Sequence, residues 1–143
     1  MTTLAIEPLT IGLPPGADRP FATEDVSFTI DKGQSLCVVG KSGSGKSMTA
    51  NALMGLLPPG VTVKAGRALF QDQDVLRLPE PQKQALRGAR IAMIFQEPMT
   101  ALNPLMRIGD QITEVFAAHN LYSPAERRMR ALTLVREVGL PDP

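Results

Sequence analysis

The sequence predicts an α/β fold, and three observations favour it. A continuously apolar run at residues 36–39 is typical of a central strand in a parallel sheet. A glycine-rich loop follows this run at once, and the residues after the loop are predicted to form a helix at 48–57 that ends before Pro58. A second apolar run at 91–95 predicts another buried strand. With 143 residues, the chain suits one domain with one core.

The residues before the glycine-rich loop predict β structure. Residues 4–13 are rich in apolar residues that partly alternate, and residues 26–30 alternate as a half-buried strand does. The segment 14–20, with three prolines and a glycine, predicts a loop. Asp31-Lys32-Gly33 predicts a hairpin turn. We expect Cys37, which lies in the apolar run 36–39, to be a buried structural thiol.

The residues after the loop predict short elements and then two amphipathic helices. A short strand is expected at 68–70, a helix at 81–88, and the buried strand at 91–95 ends at Gln96-Glu97-Pro98. The first amphipathic helix places the following residues on one face: Ile108, Ile112, Val115, Phe116 and His119.

The second amphipathic helix has clear start and stop signals. It opens with a capping box at Ser123-Pro124-Ala125-Glu126, and Gly139 supplies its end. Its apolar face is predicted to contain Met129, Leu132 and Val135. The basic residues Arg127, Arg128 and Arg130 are interpreted as its solvated face.

Composition excludes several classes of function. A formal net charge of +1 gives no case for general nucleic-acid binding. One cysteine allows no internal disulfide, which fits a reducing cytosol. No stretch approaches the ~18–20 apolar residues that span a bilayer, and the N-terminus lacks the features of a secretion signal. The chain is therefore predicted to be soluble by itself and to reach a membrane through a partner. His119 has no ligand cluster beside it in the sequence, so a metal role is not expected.

Residues 40–47 match the P-loop pattern Gly-x-x-x-x-Gly-Lys-Ser/Thr at every fixed position. The eight candidate phosphate-binding residues are Gly40, Lys41, Ser42, Gly43, Ser44, Gly45, Lys46 and Ser47. The glycines allow positive φ and a close backbone approach to phosphate oxygens, and successive N–H groups form a nest for anions. Lys46 is expected to reach the β- and γ-phosphates, and the Ser47 hydroxyl is expected to bind Mg²⁺. A flexible Gly/Ser linker would need neither the preceding apolar run nor the Lys-Ser ending.

Two longer strings resemble a known family. Residues 40–47, together with Ile91-Ala92-Met93-Ile94-Phe95-Gln96-Glu97-Pro98-Met99-Thr100-Ala101-Leu102-Asn103-Pro104, resemble the ATP-binding-cassette (ABC) transporter ATPases. The second string is similar to the Q-loop region of the branch that imports di- and oligopeptides, with nickel and glutathione importers as relatives. The lead-in at 26–34 and the Leu56-Leu57-Pro58 string resemble the same family.

The resemblance implies an α/β fold of the P-loop NTPase type. The predicted chain is a partial RecA-like core with an antiparallel β element before it (residues 1–35), a P-loop core to the Q-loop (36–98) and the start of a helical subdomain (99–143). In the family, the glutamine matched by Gln96 lies near Mg²⁺ and the attacking water, so Gln96 is a candidate catalytic and metal-binding residue.

The resemblance also implies cofactors, partners and location. ATP and Mg²⁺ are the expected cofactors, and ATP rather than GTP rests on the resemblance. The expected partners are transmembrane permease subunits and a second ATP-binding subunit, on the cytoplasmic face of the inner membrane. The family stacks adenine on an aromatic side chain; Leu13 or Phe21 lies in the expected region, and Phe21 is equally compatible with a core or loop contact.

Several parts of the family pattern do not occur in residues 1–143. There is no Leu-Ser-Gly-Gly signature, no apolar strand ending in Asp-Glu and no later switch histidine. An NTPase needs a carboxylate to hold Mg²⁺. Asp72 is a poor candidate because the apolar run before it, Ala68-Leu69-Phe70, is short, and we interpret it as a surface turn acid. We therefore expect the N-terminal part of a longer protein or a truncated product, which binds ATP without efficient hydrolysis and is marginally stable.

A non-catalytic nucleotide-binding module stays open as an alternative. A GTPase lacks support because Asp-x-x-Gly and Asn-Lys-x-Asp are absent, and a kinase lacks an identifiable acceptor site and lid.

Overall fold

The computed structural model describes residues 1–97 and 102–140. The chain divides into two compact units, Met1–Arg87 and Gly88–Pro143. The first unit contains strands β1 (Thr2–Gly12), β2 (Phe21–Asp31), β3 (Thr62–Phe70) and β4 (Gln73–Asp74) and helices α1 (Lys46–Met54) and α2 (Glu80–Leu86). The second unit contains helices α3 (Ile108–Ala118) and α4 (Pro124–Glu137).

The four strands form one antiparallel sheet in the order β2-β1-β3-β4. The predicted strands near the N-terminus are confirmed, and β2 and β3 extend beyond the predicted segments 26–30 and 68–70. Strand β1 lies between β2 and β3, so Ile6, Leu9 and Ile11 are almost completely buried. The sequence alone gave no sign that residues 62–67 pair with β1, because half of that strand is polar or small.

A bulge interrupts β1 beside its proline. The register of β1 shifts between Ile6 and Leu9 against β2, and between Glu7 and Thr10 against β3. Pro8 has no N–H to donate to a neighbouring strand, and proline inside a sheet is usually found at such irregular positions. Gly66 lies opposite with φ 94°, and a Cβ added there would lie 2.3 Å from the Pro8 carbonyl oxygen. The close approach of two backbones therefore requires glycine at this position.

Helix α1 is bounded by two glycines in the left-handed conformation. Gly45 precedes it with φ 85°, and Gly55 ends it with φ 63°. The N–H groups of Gly55 and Leu56 donate to the carbonyls of Ala52 and Asn51 at 3.0 and 2.8 Å, which closes the last turn. The helix therefore ends before the Pro58 that the sequence had suggested as its limit.

The two predicted parallel strands are wrong in this structure. Residues 36–39 and 91–95 do not form strands, and the Asp31-Lys32-Gly33 turn forms without leading into a hairpin. Val39 is 84% exposed and Ile94 is 95% exposed, and Cys37 is an exposed thiol, which corrects its predicted burial. The physical reason is pairing: within the described residues, the sheet contains no strand alongside either run. Without neighbours an apolar run has nothing to bury against.

The described residues of the second unit include the two helices α3 and α4. The predicted capping box at the start of α4 is confirmed: the Ser123 side chain accepts from the Glu126 N–H, and the Glu126 carboxylate accepts from the Ser123 N–H at 2.7 Å. Gly139, at φ 78°, follows the end of α4 as predicted. The buried residue of α4 is Ala131, whereas Met129 is 64% exposed. Among the described residues, no helix is both long and apolar enough to cross a bilayer.

Candidate nucleotide-binding site

The glycine-rich loop curls tightly between residue 40 and the start of α1. Gly43 and Gly45 have φ values of 79° and 85°, a conformation that other residues rarely adopt. The Ser44 N–H donates to the Lys41 carbonyl at 3.2 Å, which closes a turn at the tip. Left-handed residues at such positions are typical of the concave backbone that binds anions.

Lys46 folds back over the loop with all of its hydrogen-bonding capacity in use. Its Nζ atom donates to the Gly40 carbonyl at 2.7 Å, the Lys41 carbonyl at 2.9 Å and Ser44 Oγ at 3.2 Å. A lysine ammonium has three protons to donate. The ammonium therefore lies at the centre of the loop, and the Lys46 side chain is exposed to solvent.

Two glycines of the loop make close contacts that a side chain would block. A Cβ added to Gly40 would lie 2.6 Å from Ser44 Oγ. A Cβ added to Gly45 would lie 2.4 Å from the Ala22 carbonyl oxygen and 2.2 Å from Thr23 Cγ2. The loop thus packs directly against the first residues of β2, so the sheet fixes the position of the loop.

The N-terminus of α1 supplies further N–H groups at the loop. The first turn of a helix has N–H groups with no acceptor inside the helix, and these favour a negative ligand. In the described part of the chain, no side chain caps this terminus, and no acidic residue lies in the first turn. Thr49 is buried and donates from both N and Oγ1 to the Gly45 carbonyl, at 2.9 and 3.3 Å. Ser47 is exposed in the same first turn.

Arg19 is a residue of this site that sequence reasoning missed. Its guanidinium Nη2 donates to the Gly43 carbonyl from the loop between β1 and β2. It lies 24 residues before Gly43, and no spacing rule connects the two positions. Pairing of β1 with β2 brings the two loops together, so a local pattern had no means of finding this contact.

A small cavity of about 310 Å³ adjoins the loop within the first unit. Its walls include Val26 and Phe28 of β2, Leu53 of α1 and the exposed Val38 and Val39. Gly40, Ser44 and Lys46 of the loop also line it, so the cavity has one polar side at the loop and apolar walls elsewhere.

The other candidates are placed as follows. Gln96 is exposed and belongs to the second unit, whereas the loop belongs to the first, so its role near the loop stays a prediction. Leu13 and Phe21 are half-buried at the ends of the β1–β2 loop, and neither assignment to adenine is tested. Asp72 is exposed in the turn between β3 and β4 at φ 66°, which confirms its interpretation as a surface turn acid. Pro98 to Ala101, part of the Q-loop string, lie outside the described residues.

Comparisons with known proteins agree on one family. The family model described as "ABC transporter" matches residues 23–143. The chain is 46% identical to the dipeptide transport ATP-binding protein DppD of Bacillus subtilis (strain 168), over 85% of this chain and 37% of that protein. It is 43% identical to the oligopeptide transport ATP-binding protein OppD of the same organism, over 98% of this chain and 39% of that protein. The chain therefore spans under two fifths of the length of these curated relatives.

Solved structures show the same fold. The dimeric structure of MJ0796, a bacterial ABC transporter cassette, matches with a TM-score of 0.82 at 23% identity, over 97% of this chain and 58% of that one. A dimeric post-hydrolysis state of the same cassette, bound to ADP and Pi, matches with a TM-score of 0.78 at 20% identity, over 97% of this chain and 58% of that chain. Together with the family match, these structures confirm the predicted fold class: the chain forms part of an α/β domain of the P-loop NTPase type.

Proposed function

The chain belongs to the ABC transporter family, and from that premise we propose that it is the nucleotide-binding part of an ATP-binding subunit that powers peptide import. The observation that carries the proposal is the loop at residues 40–47, which has the backbone shape, the lysine and the helix terminus that phosphate binding needs. The names of the relatives favour dipeptides or oligopeptides as cargo.

Each part of the loop has a proposed role toward ATP. The N–H groups of the loop and of the first turn of α1 bind the phosphates. Lys46 redirects one or more of its hydrogen bonds from the loop carbonyls to the β- and γ-phosphates and keeps its protons. The hydroxyl of Ser47, exposed in the first turn of α1, is the proposed Mg²⁺ ligand on this chain, and an oxygen donor suits that ion. Gln96 is proposed as the second contact to Mg²⁺ and to the attacking water. Mg²⁺ supplies charge neutralisation on the phosphates.

Partners and location follow from the family premise. We propose that the chain acts with transmembrane permease subunits and with a second ATP-binding subunit, as a peripheral protein on the cytoplasmic side of the membrane. The dimeric arrangement of the solved cassette supports the second subunit.

Residues 1–143 are proposed to bind ATP without efficient hydrolysis. Phosphoryl transfer needs a carboxylate that helps to hold Mg²⁺ and a group that orients water. The sequence of these residues has no apolar strand that ends in Asp-Glu and no Leu-Ser-Gly-Gly signature. A non-catalytic nucleotide-binding module is therefore the alternative for the chain as it stands.

Replacing Lys46 with alanine tests the proposal. The change removes the ammonium that lies in the loop, so we expect ATP affinity to fall by about tenfold to a hundredfold, the range for losing charge-assisted hydrogen bonds. Isothermal titration of the wild-type chain, Lys46→Ala and Lys32→Ala with Mg-ATP measures this. Lys32 lies exposed in the turn after β2, so Lys32→Ala is the matched control.

The same samples test hydrolysis. We expect phosphate release by the wild-type chain to equal that of Lys46→Ala. Undiminished ATP binding by Lys46→Ala would refute the site, and turnover by the wild-type chain that disappears in Lys46→Ala would refute the proposed lack of hydrolysis.

A further inference from the structure

The hold of Lys46 on its own loop conflicts with its role toward phosphate. All three ammonium protons donate within the loop, to the Gly40 and Lys41 carbonyls and to Ser44 Oγ. A lysine that turns toward a phosphate must give up at least one of these acceptors. Some other group must then keep the loop in its curled shape, because the affinity of a loop that loses its shape on binding is reduced by the cost of reordering it.

Arg19 holds the loop independently of Lys46. Its guanidinium donates to the Gly43 carbonyl, which Lys46 does not touch. The segment that carries Arg19 is itself closed at its base, since the Leu13 N–H donates to the Pro20 carbonyl at 2.9 Å and Gly12 pairs with Phe21 between β1 and β2. The contact therefore connects Gly43, at the tip of the phosphate loop, to the β1–β2 loop at the end of the antiparallel sheet.

The Gly43 carbonyl belongs to a peptide plane in which both the C=O and the N–H are hydrogen-bonded. A peptide plane is rigid, so the Gly43 C=O and the Ser44 N–H turn together. Arg19 donates to the Gly43 oxygen, and the Ser44 N–H donates to the Lys41 carbonyl at 3.2 Å. This plane directly precedes the N–H groups of Gly45, Lys46 and Ser47, which open helix α1. Fixing this plane removes one of the rotations by which the loop could turn those N–H groups away from a ligand.

We propose that Arg19 is a positioning residue that holds the Gly43 carbonyl and so keeps the phosphate loop in its binding shape for a nucleoside triphosphate. This inference rests on the proposed function, because it names a further residue of the same site. Arg19 acts through the backbone of the loop: one hydrogen bond on Gly43 maintains the loop while Lys46 exchanges its internal acceptors for phosphate oxygens.

Substitutions at Arg19 in the full chain test the inference, with Mg-ATP as the probe. We expect Arg19→Ala to weaken ATP binding by about threefold to tenfold, the range for one exposed hydrogen bond from a charged donor. Arg19→Lys keeps a donor and the charge and is expected to recover most of that loss. Asp18→Asn is the matched control, since it changes an exposed charge in the same loop and is expected to bind ATP as the wild type does.

Salt and heat separate positioning from other roles. A charge that acts at a distance is screened by salt, so its effect on ATP affinity would largely disappear at 0.5 M salt, where the Debye length is about 4 Å. We expect the loss in Arg19→Ala to persist at that salt concentration, and the melting temperature without nucleotide to stay that of the wild type. A merely structural role would lower that melting temperature in the absence of nucleotide.

The outcomes are distinguishable from failure of the proposed function. Equal ATP binding by wild type and Arg19→Ala, or a loss that vanishes at high salt, would overturn the role of Arg19 and leave the loop assignment intact. A lower melting temperature that accounts for the weaker binding, without recovery in Arg19→Lys, would also overturn it. If the wild-type chain binds no ATP while folded, the proposed function itself fails and this inference fails with it.

Discussion

At the scale of single residues, Gly45 shows why the P-loop pattern demands glycine. Its φ of 85° is unfavourable for any residue with a Cβ, and the space for a Cβ is already occupied by the Ala22 carbonyl and the Thr23 methyl. The backbone atom cannot move away as a flexible side chain can. Two independent constraints, conformation and contact, therefore meet at one position.

Gly45→Ala separates these two constraints when it is compared with Gly33→Ala. Gly33 has a similar φ of 79°, but no atom lies within 4 Å of a Cβ added there. We expect Gly33→Ala to cost about 1–2 kcal/mol, the left-handed strain alone, and Gly45→Ala to cost more and to abolish ATP binding. Urea denaturation and titration with Mg-ATP measure the two effects. Equal destabilisation by both substitutions would show that β2 does not pack on the loop as described.

At the scale of elements, helix α4 begins where its capping box specifies. The hydrogen bond from the Ser123 hydroxyl, and then the one from its N–H, lower the pKa of the Glu126 carboxyl below its ordinary value. Arg87 acts in a related way on a shorter helix: its hydrogen bond lowers the pKa of Glu80, while its Nε donates to the Met54 carbonyl at 2.6 Å at the end of α1. In both cases a charged side chain makes hydrogen bonds at the end of a helix.

The capping box predicts a pH dependence for the helix. Because the pKa of Glu126 is lower in the folded state than in the unfolded one, its stabilisation is present above the unfolded pKa and is lost as pH falls through the folded pKa. We expect the helical signal in circular dichroism to weaken on acidification below pH ~4 and Glu126→Gln to reduce that dependence. Ser123→Ala is expected to cost about 1 kcal/mol at neutral pH. Thr133→Ala, on an exposed position of α4, is the control, and an effect as large as that of Ser123→Ala would contradict the cap.

At the scale of the whole molecule, the described residues leave two apolar runs exposed. Leu36, Val38 and Val39 are 46%, 50% and 84% exposed, and Ile94 and Phe95 are 95% and 45% exposed. Scattered exposed apolar residues are common, but consecutive ones with β-branched side chains favour intermolecular strand pairing. The chain is therefore expected to associate with itself at moderate concentration.

Charged substitutions in these runs test the expected association. We expect Val39→Lys and Ile94→Lys each to raise the soluble concentration and the monomer fraction in light scattering, because a lysine disfavours strand-to-strand pairing. Leu105→Lys is the matched control, since Leu105 is 93% exposed but lies outside both runs. A soluble monomeric wild-type chain with one sharp cooperative melt would contradict the prediction.

The outcome of the sequence predictions depended on the range of the interactions involved. The glycines of the P-loop, the capping box at Ser123 and the stop at Gly139 were predictable because each is set by residues within a few positions along the chain. The strands at 36–39 and 91–95 were not, because an apolar run becomes a strand only beside a partner, and within the described residues the sheet gives them none.

The sequence by itself determined the local chemistry of the phosphate loop, because glycine conformation and the lysine at its fixed spacing are local properties. The string at residues 91–104, read together with the loop, indicated the family. The tertiary structure alone decided that Arg19 contacts Gly43, that β2 lies against Gly45 and that Cys37 is exposed. Those facts depend on which strands pair, and pairing joins residues too far apart along the chain for any short pattern to record.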